Sequence, residues 1–134
     1  MWESDRAVRP RGYPRWAPVL VGLLISLAQV RLVSAAWESC DLTGSTGLST
    51  TSLYALGLPA LTFLNWLLIA LPAEVWLHKD TTAINRWVLA IVTSAVLIGA
   101  ETIVVAHFIA TPSEPVGTTC AHNVPDWWPE EIPV

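Results

Sequence analysis

The sequence predicts an all-α integral membrane protein, with three transmembrane helices followed by an extended C-terminal tail rich in proline and tryptophan. Three observations predict it. Hydrophobic residues make up 53% of the 134 residues and charged residues only 13%, with a mean hydropathy of +0.50, and a water-soluble domain of this length has too little interior to hide so much apolar surface. The charges are gathered near the chain ends and in one short segment, leaving three long stretches with almost none. Each stretch reaches the roughly 20 residues needed to cross a hydrocarbon core of about 30 Å. A net charge of -4 with a single lysine offers no basic surface able to neutralise many phosphates, which argues against a nucleic-acid partner.

Residues 1–16 form a basic tail. Residues 17–36 read as the first transmembrane helix and 37–50 as an outer loop that includes Gly44-Ser45-Thr46-Gly47. Residues 51–77 and 85–110 read as the second and third helices, each about 40 Å long at 1.5 Å per residue, so they must tilt, kink or emerge into the headgroups. Gly57, Pro59 and Pro72 make the second the one to kink, since proline removes a backbone donor and crowds the preceding turn. The polar link 78–84 is too short to allow anything but antiparallel neighbours, and Asp80 or Thr81 is available as an N-cap. Residues 111–134 carry half of the prolines (Pro112, Pro115, Pro125, Pro129 and Pro133) and are expected to be extended or turned.

Orientation follows from the basic residues. Arg6, Arg9, Arg11, Arg15, Lys79 and Arg86 lie in 1–16 and 78–86, whereas 37–50 and 111–134 contain none and carry Glu38, Asp41, Glu114, Asp126, Glu130 and Glu131. The positive-inside rule then puts the N-terminus in the cytoplasm and the C-terminus outside the plasma membrane. Trp16, Trp76 and Trp87 fall at the inner boundary and Trp37, Trp127 and Trp128 at the outer one, where indoles prefer to lie. A competing reading treats the first segment as a secretory signal peptide cleaved after Ala35, because a basic start, a short apolar run and Val33-Ser34-Ala35 fit that pattern.

Arg31 and Glu101 are the ionisable residues deepest in the spans. An ionised side chain in hydrocarbon costs at least about 2.5 to 3.5 kcal/mol, so each needs a partner or water. Counted from the inner ends, they differ in depth by about 3 Å on two parallel helices, which favours a structural Arg31/Glu101 pair. The alternatives are an Arg31 that snorkels to the outer headgroups, and a proton or ion pathway. Gln29 and Asn65 also share a depth, as an interhelical amide contact requires. Gln29 and Arg31 point about 200° apart on a straight helix, an arrangement that suits a first helix lying between the other two. Gly22 and Ser26 continue the Gln29 face and Ala90 and Ser94 the Glu101 face, while Ala95 and Gly99 form a small-xxx-small pair able to seat another helix.

Cys40 and Cys120 are the only cysteines, and the topology puts both outside, where an even count favours a disulfide that pins the tail across the helix ends. A redox enzyme would be expected to carry a C-x-x-C pair, which is missing. Zinc held by Cys40, Cys120, His122 and Asp126 would rest on one C-x-H spacing. His78 and His107 lie near opposite surfaces and cannot share a haem. No phosphate-binding glycine loop, nucleophile elbow or metal-binding helix motif is found, so no cofactor or metal is expected.

The tail's most distinctive stretch is Asn-Val-Pro-Asp-Trp-Trp-Pro at 123–129, two indoles stiffened by prolines and expected to be exposed, for membrane anchoring or for docking on a partner. Here the chain resembles a group of small bacterial integral membrane proteins that end in a cysteine followed by Asn-Val-Pro-x-Trp-Trp-Pro. The resemblance covers about a dozen residues and the general layout, and it implies neither an activity nor catalytic residues. The function expected is non-enzymatic: an accessory or scaffold subunit acting through its helices and outer tail, whose partners are the lipid bilayer and another membrane protein or a second copy. The runner-up is an oligomeric small transporter or channel using Arg31 and Glu101.

Overall fold

The computed structural model describes residues 14, 16–42, 49–77, 82–110, 120 and 124–130. Among these the regular structure is entirely helical, in three helices long and apolar enough to cross a membrane: α1 (Ala17–Ser39), α2 (Thr50–Leu77) and α3 (Ile84–Ala110). At 1.5 Å per residue they measure about 35, 42 and 40 Å. Asp80, Thr81, His78 and the Gly44–Gly47 stretch lie outside the described residues; the N-cap position of α3 falls on Thr82, with no side-chain cap bond.

α1 begins with Pro18 in its first turn, where the missing N–H would have had no helical acceptor. It runs unbroken through Val33-Ser34-Ala35 and ends three residues beyond the expected boundary. Its stop is a Schellman motif: Asp41 adopts φ 53°, its N–H reaches the Glu38 carbonyl at 3.4 Å, and the Leu42 N–H reaches that of Trp37 at 2.9 Å. Trp37 and Leu42, brought together by this turn, are both buried in the apolar core.

In α2, Ser49 is the N-cap, its hydroxyl accepting from the Ser52 N–H at 3.0 Å. The expected irregularity takes the form of a π-turn at Leu53–Gly57. Pro59 has no N–H to offer the Ala55 carbonyl, and the wider turn just before it absorbs the crowding. The helix continues through Pro72 to Leu77. α3 also ends in a π-turn, Ala106–Ala110.

α2, not α1, is the central helix, packed against both of the others. The reason lies at Gly22: a Cβ there would stand 3.1 Å from the Trp66 backbone nitrogen and 3.3 Å from the Thr62 carbonyl oxygen, so glycine lets the α1 and α2 backbones touch. α1 and α3 converge only toward the Cys40 end. There Val30, Val33, Trp37, Leu61, Val105 and Ala106 form the core. Toward the other end they part around an apolar groove of about 530 Å³, walled by Val21 and Ile25 of α1 and by Ala95 and Gly99 of α3, with Ile69 and Ala73 as its floor. Among the described residues, nothing beyond the helix's own backbone lies within 4 Å of a Cβ placed on Gly99.

Candidate functional site: a buried polar cluster and a clasped helix end

The polar residues inside the spans converge on Gln29. Ser26 begins the series by donating its hydroxyl to its own helix at the Gly22 carbonyl, 2.7 Å away. Asn65 of α2, fully buried, donates through Nδ2 to the Ser26 hydroxyl at 3.0 Å and to Gln29 Oε1 at 2.9 Å. Gln29 in turn donates through Nε2 to the Thr102 hydroxyl at 2.8 Å and to Glu101 Oε2. One amide on α1 therefore bridges α2 and α3. In hydrocarbon no water competes for these groups, so each bond selects this helix arrangement over others. Two acceptors in the cluster, Asn65 Oδ1 and Glu101 Oε1, are buried without a partner.

The Arg31/Glu101 pair expected from matched depth is not made. Glu101 meets Gln29, and Arg31, two residues further along, is exposed on another face of α1, lining a cleft shared with the first turns of α2. Matched depth along two helices does not fix the azimuth at which their side chains point. With Gln29 turned toward α2 and α3, a residue about 200° around the helix is turned away from Glu101.

The Cys40 end is clasped three times. Cys40 and Cys120 are joined by a disulfide with Cα atoms 5.2 Å apart, so neither sulfur is free to ligate zinc. Trp37 donates its indole N–H to the Ile109 carbonyl at 2.9 Å, capping one of the carbonyls that the end of α3 leaves open. Trp127 donates to the Ser39 hydroxyl at 3.0 Å. The expectation of two exposed indoles needs correction: Trp127 is 48% exposed but Trp128 only 8%, packed into the core of its own chain. The disulfide is the cause, because it draws the tail over the helix ends, and a turn closed by Trp128 N–H to the Pro125 carbonyl (2.9 Å) folds that indole inward.

At the opposite end, Arg86 donates to the Leu77 carbonyl at 3.1 Å, and Trp76 donates to the Thr93 hydroxyl at 3.2 Å, which fasten α2 to α3 beside their connection. His107 packs edge-on against Phe108, ring centroids 4.6 Å apart; His122 lies outside the described residues. Among the described residues no group of three His, Cys, Asp or Glu could hold a metal ion.

Sequence reasoning missed Thr102, whose one signal was its position beside Glu101.

Fold and site together define a class: a three-helix protein of membrane-spanning dimensions, tied through its middle by amides and at one end by a disulfide. The chain matches no protein-family model, no curated protein and no solved structure.

Proposed function

We propose that the protein is a multi-pass integral membrane protein of the plasma membrane that works without catalysis, as an accessory or scaffold subunit presenting its helices and its C-terminal tail to a partner. The observation that carries this reading is the disposition of the polar groups. Gln29, Asn65, Ser26, Glu101 and Thr102 bond one another across three helices, which holds the helices in one shape. That shape leaves Ala95 and Gly99 on an open groove, a surface suited to the close approach of a helix from another protein. The basic residues of 1–16 and 78–86 support a cytoplasmic N-terminus and an extracytoplasmic Cys40 end.

The test is site-specific photo-crosslinking from position 95 in intact membranes, repeated with Gly99→Leu. A discrete heterologous adduct that the substitution abolishes supports the reading; lipid adducts alone reject it. Reporter fusions at Thr82 and Val134 test the orientation, and a cytoplasmic signal at 134 would reverse it. The second reading, an oligomeric transporter or channel, is favoured by the unpartnered Glu101 Oε1 and predicts a homo-oligomeric adduct instead.

A further inference from the structure

A cleft of about 900 Å³ lies between α1 and the first turns of α2 at the Cys40 end, lined by Arg31, Ser34 and Glu38 on one side and Thr50, Thr51 and Tyr54 on the other. Ser34 is the informative member. Serine and threonine hydroxyls inside helices commonly donate to the carbonyl four residues back, as Ser26, Ser39 and Thr62 do here at 2.7 Å. Ser34 is only 6% exposed and its hydroxyl has no partner among the described residues.

The charges beside it are also unanswered. Arg31 makes no hydrogen bond or ion pair with any described residue, and it stands where a guanidinium would reach an oxyanion that Ser34 and the threonine hydroxyls could also contact. The Thr50 and Thr51 backbone N–H groups open α2, a helix of 28 residues, and have no intrahelical acceptor. Glu38 lies two turns beyond Arg31, about 10 Å along the axis, so the cleft has a cationic end and an anionic end. On the other side of Arg31 the same stripe of α1 turns apolar, with Ala28 exposed and Leu24 67% exposed. The sequence of chemistries along this face is apolar, cationic, hydroxyl, anionic.

We propose that the cleft binds the phosphoethanolamine headgroup of a membrane lipid, with Arg31, Ser34 and the first turn of α2 taking the phosphate, Glu38 the ammonium, and the Leu24 and Ala28 stripe an acyl chain. A net-anionic headgroup such as glycerol brings no ammonium and would leave the Glu38 carboxylate uncompensated, and a choline headgroup has no N–H to donate to it. A soluble phosphate would make no use of the apolar stripe. The site rests on residence in a bilayer and on no protein partner, so its failure leaves the scaffold reading intact.

The full chain, delipidated in mild detergent, is offered phosphatidylethanolamine, phosphatidylcholine and phosphatidylglycerol of identical acyl chains, and bound lipid is counted by native mass spectrometry. Phosphatidylethanolamine is expected to be retained about tenfold over phosphatidylglycerol, and Arg31→Ala to lower its retention about tenfold, the scale of one lost charge-assisted contact. Ser34→Ala lowers retention of all three lipids, and Glu38→Gln removes the preference for ethanolamine while keeping phosphate-dependent retention. Equal retention of the three lipids by the wild type, or an unchanged ethanolamine preference in Glu38→Gln, overturns the proposal even if Arg31→Ala does not fold. Displacement by equimolar inorganic phosphate would assign the cleft to a soluble anion and overturn the lipid assignment.

Discussion

Asn65 Nδ2 stands 2.9 Å from Gln29 Oε1 across the helix contact that Gly22 makes possible, and through Gln29 it is linked to Glu101 and Thr102 on α3. This makes Gln29 the common member of two interfaces. Gln29→Ala is expected to destabilise the bundle by roughly 1 to 2 kcal/mol, and a double-mutant cycle with Asn65→Ala to give a coupling of roughly 0.6 kcal/mol. Unfolding equilibria in mixed micelles or by steric trapping measure both. A coupling of zero would mean that the amide contact does not contribute.

Arg31→Ala and Glu101→Ala are expected to be additive within about 0.5 kcal/mol, because the two side chains have no shared partner. The same unfolding assay on the two single variants and the double variant checks this. A double variant more stable than either single one would place the two charges together after all.

Gly22 and Gly99 should respond oppositely to the same substitution. A Cβ on Gly22 meets α2 backbone at 3.1 and 3.3 Å, whereas one on Gly99 has no neighbour within 4 Å among the other described residues. Gly22→Leu is expected to cost at least about 1 to 3 kcal/mol through forced separation of the helices, and Gly99→Leu to fall within about 0.5 kcal/mol for the isolated chain. Thermal stability in detergent decides it.

Four features show how much of this was legible in the sequence. The three spans were, because a stretch of apolar residues long enough to cross a bilayer has few other uses. Depth was legible too: counting from the helix ends put Gln29 level with Asn65, and the two amides meet. Azimuth was legible only within a helix, as in the shared face of Gly22, Ser26 and Gln29; which face turns inward is set by where backbones can touch, and the Gly22 contact with Thr62 and Trp66 shows itself only in three dimensions. The Schellman stop of α1 was hidden as well, because Asp41 occupies the left-handed position where glycine would have signalled it.

Reducing the disulfide should free the tail. Closing a loop of 80 residues stabilises by about 4.5 kcal/mol in the chain-entropy limit, though real bridges range from 0 to about 5. Intact mass in freshly isolated membranes should fall short of the reduced mass by two hydrogens, and a start at Ala36 in the same spectrum would establish signal-peptide cleavage. On reduction, tryptophan emission is expected to shift to the red as Trp128 leaves its buried site, a shift missing in Trp128→Phe. Two alkylatable thiols before reduction would reject the bridge.

The described hydrogen bonds between α1 and α3 run from Gln29, which meets Glu101 and Thr102, to Trp37, which meets Ile109, toward the Cys40 end. Beside the groove each helix is held through α2 instead, α1 by the Gly22 backbone contact and α3 by the Arg86 and Trp76 bonds. The spacing of the two groove walls is therefore carried by the helix that forms its floor. A substitution that shifted α2 at Ile69 or Ala73 would move both walls at once and change the width of the groove.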